Sequence, residues 1–239
     1  MYKRILLKLS GEALGLKGSN NIIDAEVINE VAKSIKDLYD GGLEIAIVIG
    51  AGNIWRGRVA EKIGIERVPA DFMGMLGTVI NAVAMSSALK NLGVPSVVYS
   101  AIPEIPGVTV AYDEEKAKND LSNKKVCFLA GGTGKPYFST DTAAVLRAKE
   151  TNCDSILMAK NGVEGVYDKD PREYVDAKFL PVVSFQEMLD LKLGVMDEDA
   201  VKLIKDTNLE ILVFSMSDPN NFKRVANGEH IGTVCKKEK

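Results

Sequence analysis

The sequence is poor in side chains on which much enzyme chemistry relies. Its 239 residues include one histidine, His230, near the C-terminus. That excludes reactions needing a pair of imidazoles and argues against a Ser-His-Asp triad. The three cysteines, Cys127, Cys153 and Cys235, are scattered. Such spacing fits reduced thiols in a cytosolic protein, not a disulfide frame or a zinc site. Neither sign of charge dominates: the net charge is −3, which argues against nucleic acid as the main partner. No uninterrupted apolar run reaches the ~20 residues of a membrane span. The opening MYKRILLKLSG reads as too short and too charged for a signal peptide, since Lys8 breaks its apolar run. The expectation is a cytoplasmic protein with no membrane partner.

What is present organises around residues 126–142, VCFLAGGTGKPYFSTDT. An apolar run reads as a buried strand. Gly131, Gly132 and Gly134 follow, with Thr133 among them, and glycine lets a backbone approach a ligand closely. Ser139, Thr140 and Asp141 then precede an apolar helical stretch. They are preferred N-cap types, and the free N–H groups of that helix would face the loop. Strand, glycine loop, hydroxyls and helix N-terminus together suit a phosphate, although an ordinary strand-to-helix turn can look the same. Gly134-Lys135 is followed by Pro136, so the loop is no Walker A motif. Tyr137 and Phe138 read either as a wall for a base or as local packing.

Similar signals recur along the chain. The apolar run at 3–9 carries Lys8 near its end, with Ser10-Gly11 directly after. Lys8 reads as an edge charge or as a cation delivered to the crevice of a parallel sheet, and the adjoining glycine favours the second. The strand at 44–49 leads into Gly50-Ala51-Gly52-Asn53, with Arg56 in reach of the loop. The dinucleotide fingerprint fails there because Trp55 stands where glycine is needed. Arg56 suits bidentate phosphate contact, or is a surface residue beside a turn. Lys160 repeats the pattern of a lysine at a strand's end, after the strand at 154–158. Two such cations could neutralise a transferring phosphoryl group from two sides.

Other strands are read at 96–100, 210–216 and 231–235, and helices at 24–40, 114–121, 184–191 and 197–207. Asp197 reads as an N-cap. Residues 72–92 form a helix apolar nearly all round, buried on several sides, another subunit being one candidate cover. Asp71 is either its N-cap or a carboxylate for ribose hydroxyls. Strands alternating with helices predict an α/β fold, a three-layer αβα sandwich around a mostly parallel sheet.

Six ordered motifs carry a resemblance: KLSGEAL at 8–14, GAGNIWRG at 50–57, ADFMGMLGT at 70–78, GGTGKPYFSTDTAA at 131–144, LMAKNGVEGVYDKDP at 157–171 and GVMD at 194–197. Together they resemble the bacterial uridylate kinases of the amino-acid kinase superfamily. The resemblance implies one domain over 1–239, with acceptor and ATP-binding halves, that moves a phosphoryl group from ATP to UMP with Mg2+. It implies Lys8 and Lys160 as charge neutralisers, and Asp141 and Asp197 as carboxylates near the reacting groups. The ATP phosphates would meet Lys8, Leu9, Ser10, Gly11, Gly52 and Arg56. Adenine would use Asn161, Tyr167 and Asp170. UMP would lie against Ala51 and Asp71 and along Thr133, Gly134, Lys135, Pro136, Tyr137, Phe138, Ser139 and Thr140. The family is typically a hexamer, activated by GTP and inhibited by UTP.

Ala51, Lys135 and Glu164 depart from the residues common in the family, as do Ser86-Ser87 and Val97 near its GTP contacts. The last three bear on GTP activation, not on catalysis. Two other readings are a carboxylate or carbamate kinase of the same fold, and a non-catalytic sensor that binds UTP or ATP.

Overall fold

The computed structural model describes residues 2–15, 21–160, 162–218, 220–229 and 231–238. Asn161 and His230, named above, lie outside them. The first strand, β1 (Arg4–Leu9), sets the geometry. Side chains alternate across a strand. Ile5, Leu7 and Leu9 therefore enter one apolar layer, and Leu6 enters the other. Lys8 shares the face of Leu6. Each fully buried Leu or Ile contributes roughly 1.5–3 kcal/mol by leaving water.

Next come α1 (Ala25–Asp40), β2 (Glu44–Ile49), α2 (Gly57–Ile63), α3 (Arg67–Asn91), β3 (Ser96–Ser100), β4 (Val110–Ala111), α4 (Glu114–Ser122), β5 (Val126–Ala130) and α5 (Thr140–Glu150). The second half adds β6 (Ser155–Lys160), β7 (Val166–Tyr167), β8 (Phe179–Leu180), β9 (Val182–Ser184), α6 (Phe185–Asp190), α7 (Glu198–Ile204), β10 (Glu210–Ser215), α8 (Asn220–Ala226) and β11 (Thr233–Lys236). One sheet runs β4-β3-β5-β2-β1-β6-β10-β11-β9. Its only antiparallel pair among the described residues is β10–β11, so β11 and β9 run against the rest. β7 and β8 form a separate antiparallel pair. Helices α1, α3 and α8 cover one face, and α4 to α7 the other. The three-layer sandwich expected from the alternation is what the chain builds.

Helix α1 shows why such elements form. Asp24 caps it by accepting from the Glu26 and Val27 amides. Ile28, Val31, Ile35 and Leu38 form its buried stripe, and Gly42, at φ 85°, turns the chain out of it. All three cysteines are buried and free, and burial pushes each thiol up to about 12.

The structure corrects several readings. Helix α3 begins at Arg67, so Asp71 is not its cap but lies one turn inside. The last strand starts at Thr233 and runs antiparallel to β10. The loop at 101–112 contains β4. α3 is also long and apolar enough to cross a membrane, more so than the sequence reading allowed. Its most apolar window has mean hydropathy 1.5, and 56% of it is buried inside this protein. Phe72, Met73, Leu76 and Ile80 remain exposed along one side of it.

Away from the strand ends that carry the candidate motifs, Arg4 holds the sheet together. Its Nε donates to Glu44 Oε2 at 2.7 Å, Nη1 to the Thr151 carbonyl at 2.6 Å and Nη2 to Ser122 Oγ at 2.9 Å. Glu44 is only 4% exposed. Arg4→Met leaves that carboxylate buried without its guanidinium, a loss of about 3–5 kcal/mol. Urea denaturation is expected to register this loss, while chemistry at the opposite edge of the sheet is unchanged in the folded protein.

Candidate active site

The parallel strands β1, β2, β3, β5, β6 and β10 all end at one edge, where crevices form in open parallel sheets. The loops after β1 and β2 nearly touch. A Cβ at Gly11 would stand 2.4 Å from both the Gly50 carbonyl oxygen and Asn53 Oδ1, so only glycine fits. A Cβ at Gly50 would lie 3.6 Å from the Gly11 amide nitrogen and from Thr140 Oγ1. Three candidate stretches thus converge: Lys8 to Gly11, Gly50 to Gly52, and the start of α5.

Side-chain register places the charges. Lys8 pairs with Met158 across β1 and β6, and Met158 belongs to the layer packed on α5 and α7. Lys160, two residues on, takes the same face. Lys8 Nζ meets Asp141 Oδ1 at 2.7 Å, the two side chains being 15% and 18% exposed. Lys160 Nζ donates to the Val195 carbonyl at 2.9 Å. Burial lowers the Lys160 pKa, and the positive charge of Lys8 lowers it further, while Asp141 opposes both. Lys8, Lys160 and Asp141 are therefore one electrostatic cluster.

Asp197 does what its sequence context suggested: it caps α7, accepting from the Ala200 amide at 3.0 Å. It also accepts from Ser139 Oγ, and its own amide donates to Asp141 Oδ2 at 3.3 Å. Ser139 in turn caps α5 through the Thr142 amide. The starts of the two helices are thus tied together beside Lys8.

Two clefts open on this cluster. The larger, about 820 Å³, is lined by Ala51, Gly52, Asp71, Thr133, Tyr137, Phe138, Ser139 and Thr140, among others. Gly52, grouped above with ATP phosphates, thus shares a wall with the residues grouped with UMP. Asp71 holds Arg67 through two contacts of 2.9 Å and accepts from the Tyr137 amide at 2.7 Å. Tyr137 sits at φ 71°, which costs a residue with a β-carbon about 1–2 kcal/mol. Tyr137 and Phe138 line this cleft and are more than half exposed, and the Arg67 guanidinium lies 5.6 Å from the Tyr137 ring centroid. Gly134, Lys135 and Pro136 form the turn between the lining residues. Thr133 Oγ1 accepts from the Lys135 amide at 3.2 Å, and Gly134 has no room for a Cβ against the Ala101 carbonyl, which would be 2.5 Å away.

The smaller cleft, about 390 Å³, is lined by Lys160, Tyr167 and Asp170, with Gly194 and Val195 opposite. Arg172 beside Asp170 holds that carboxyl down at about 2. The Lys8–Asp141 pair lines neither cleft itself but is flanked by residues of both. Lys160 lines the smaller, and Thr140 and Thr142, on either side of Asp141, line the larger. Leu9 is fully buried, so only its backbone can serve a ligand. Ser10 and Arg56 are exposed. Arg56 pairs with Glu12 and donates Nε to the Gly52 carbonyl at 3.1 Å.

Some residues that shape the site had escaped the sequence reading. Thr78 Oγ1 accepts from the Gly131 amide at 2.8 Å, and buried Asn81 donates to the Gly50 carbonyl at 2.8 Å. An asparagine and a threonine inside the apolar helix α3 were the available signal, because a buried polar side chain needs a partner. Arg67 and Glu12 had no such signal.

This architecture, with two clefts at one sheet edge and paired lysines between them, is that of a phosphotransferase. A model of the Amino acid kinase family matches residues 3–215, and the chain belongs to that family. A uridylate kinase of Aster yellows witches'-broom phytoplasma (strain AYWB) is 48% identical over 98% of this chain and 97% of its own length. One of Mycoplasmopsis pulmonis (strain UAB CTIP) is 46% identical over 92% and 91%. The crystal structure of UMP kinase from Bacillus anthracis superposes with a TM-score of 0.96 at 37% identity, covering 100% of this chain and 97% of that one.

The Lys160 shift has a measurable sign. A lowered pKa means that its charge is lost at a lower pH than in an ordinary lysine, ~10.4. If that charge serves turnover, the alkaline limb of a kcat/KM profile, which reports the free enzyme, falls below that value. Lys160→Arg, which keeps its charge, is expected to move the limb upward; a limb indifferent to the substitution assigns it elsewhere. The same shift makes folding more favourable as pH rises between the folded and unfolded values, because there the unfolded chain holds the extra proton.

Proposed function

We propose that this chain transfers the terminal phosphoryl group of ATP to UMP, giving ADP and UDP. The observation that carries the reading is the Lys8–Asp141–Lys160 cluster at the junction of two clefts. A phosphoryl group in transit spreads negative charge over its outer oxygens, and catalysis is mostly positioning and charge stabilisation. UMP belongs in the larger cleft, its ribose hydroxyls on Asp71 and its phosphate toward the 131–140 loop. ATP belongs in the smaller one, its base beside Tyr167 and Asp170 and its phosphates along Lys8 to Gly11. The two clefts make the acceptor and ATP-binding halves of a single domain.

Mg2+ is proposed to enter with ATP. Among the described residues no three His, Cys, Asp or Glu side chains form a metal-holding group. Mg2+ needs no protein cage, since it keeps several waters and takes one or two carboxylates along with substrate phosphates. Asp141 fits that need and would hold it; when bound, the ion supplies further neutralisation of phosphate charge.

The carboxylate kinase reading is disfavoured by the relatives, which are uridylate kinases over nearly their full length. The sensor reading is disfavoured by the clustered lysines, for which binding alone gives no reason. The exposed apolar stripe on α3 supports self-association, and a cytoplasmic hexamer inhibited by UTP is the fuller form of the proposal.

Coupled assays of ADP release with UMP, CMP, AMP and small carboxylates test the reading. Turnover is expected with UMP foremost, and its absence defeats the proposal. Lys8→Ala is expected to lower kcat by ~10² or more, whereas an unchanged kcat would remove Lys8 from the chemistry.

A further inference from the structure

The acceptor loop is gripped from beneath by a side chain with no part in the proposed chemistry. Arg147 lies in the last turn of α5 and is only 4% exposed. Its Nη2 donates to the Gly132 carbonyl at 3.1 Å, in the loop that lines the larger cleft. Its Nη1 donates to Glu150 Oε2 at 2.6 Å. The hydroxyl of Tyr112 donates to that same oxygen, also at 2.6 Å. The guanidinium lies over the Tyr112 ring, 3.9 Å from its centroid. Burial raises the Tyr112 pKa, and its bond to Glu150 adds to the rise, so the ring keeps its hydroxyl proton as donor.

A buried guanidinium needs every such partner, since an unpaired buried charge is costly. This one is committed to a carboxylate, a ring and one backbone oxygen. The planar fork makes the arrangement rigid, and lysine cannot reproduce it. The loop it holds has few conformations left. Gly131, at φ 77°, has its amide on Thr78 Oγ1. Gly134 abuts the Ala101 carbonyl, at the head of the segment that ends in Tyr112. Thr78 therefore fixes the loop from α3 and Arg147 from α5, on successive residues.

The geometry points to Arg147 as a positioning residue for the acceptor: through Gly132 it holds the 131–134 backbone in the shape that receives the UMP phosphate. The inference rests on the acceptor cleft proposed above. Arg147 lines neither the larger cleft nor the Tyr167–Asp170 cleft. Its loss should weaken UMP and spare ATP.

Two variants test it by calorimetric binding of UMP and of ATP, each checked for cooperative unfolding. Arg147→Lys keeps the charge but cannot make both bonds of the fork. Arg147→Met combined with Glu150→Gln removes the buried guanidinium and its half-buried carboxylate partner together, so neither ion is left unpaired. Each is expected to raise the UMP Kd about tenfold or more, as misplaced positioning groups do, and to leave the ATP Kd within about twofold, as for an independent site. Unchanged UMP affinity in a folded variant, or equal weakening of both nucleotides, overturns the inference. A wild-type chain that binds UMP without phosphorylating it sinks the proposed function alone. One that binds no UMP sinks both.

Discussion

Two lysines of like charge are kept close together at the edge of the sheet, with one aspartate between them. Most of the fold serves that arrangement. Their shared face follows from the register of β1 on β6. A slip of one residue would send Lys8 into the opposite layer and turn Leu7 and Leu9 out of it. Asp141 reaches Lys8 because Ser139 fixes where α5 begins, and Asp197 holds Ser139. At rest, Asp141 pairs with Lys8 while Lys160 donates to the Val195 carbonyl, so the two ammonium groups are unevenly answered. Partial burial strengthens their field, because less water screens it. The Lys160 pKa is depressed first by burial and then by the Lys8 charge. An arriving polyphosphate relieves the imbalance, which gives the cluster affinity for charge that develops in transfer.

The edge that carries the chemistry includes tightly constrained backbone. Tyr137 is held left-handed, and Gly11 and Gly134 sit where a single methyl group would collide with a carbonyl oxygen. These contacts let backbone amides approach a ligand closely, and the rest of the molecule has to sustain them. Two apolar layers, one on each face of the sheet, supply most of what does. The Arg4–Glu44 pair adds a polar anchor away from the clefts, and its hydrogen bonds also reach Thr151 and Ser122. Stability and function are thus largely separated along the strands.

The parts legible from sequence were those with a period long enough to read. α1 announced itself by its apolar spacing between Asp24 and Gly41, and β1, β2, β5 and β10 by apolar runs ending at glycine or polar residues. Two-residue strands such as β4, β7 and β8 have no period at all and exist only through their partners. The start of α3 was misread because Glu66 makes no side-chain cap, which left Asp71 as the nearest cap-like residue. Pro69 sits in the first turn of α3, where its missing N–H costs nothing, and is the local mark of the helix start. The glycine loops and strand-end lysines were visible because their chemistry is local. The side chains that brace those loops were not, because their partners are far away in the chain: Asn81 reaches Gly50, Thr78 reaches Gly131, and Glu12 meets Arg56.

The central claim is that two nucleotides lie with their phosphates facing across the lysine pair. A molecule joining adenosine and uridine through a short polyphosphate tests it most directly. The account predicts that one such molecule binds per chain and excludes both ATP and UMP, its adenosine beside Tyr167 and its uridine beside Asp71 in a crystal structure. A complex that excludes only one nucleotide, or that leaves Lys8 and Lys160 away from the polyphosphate, would contradict it.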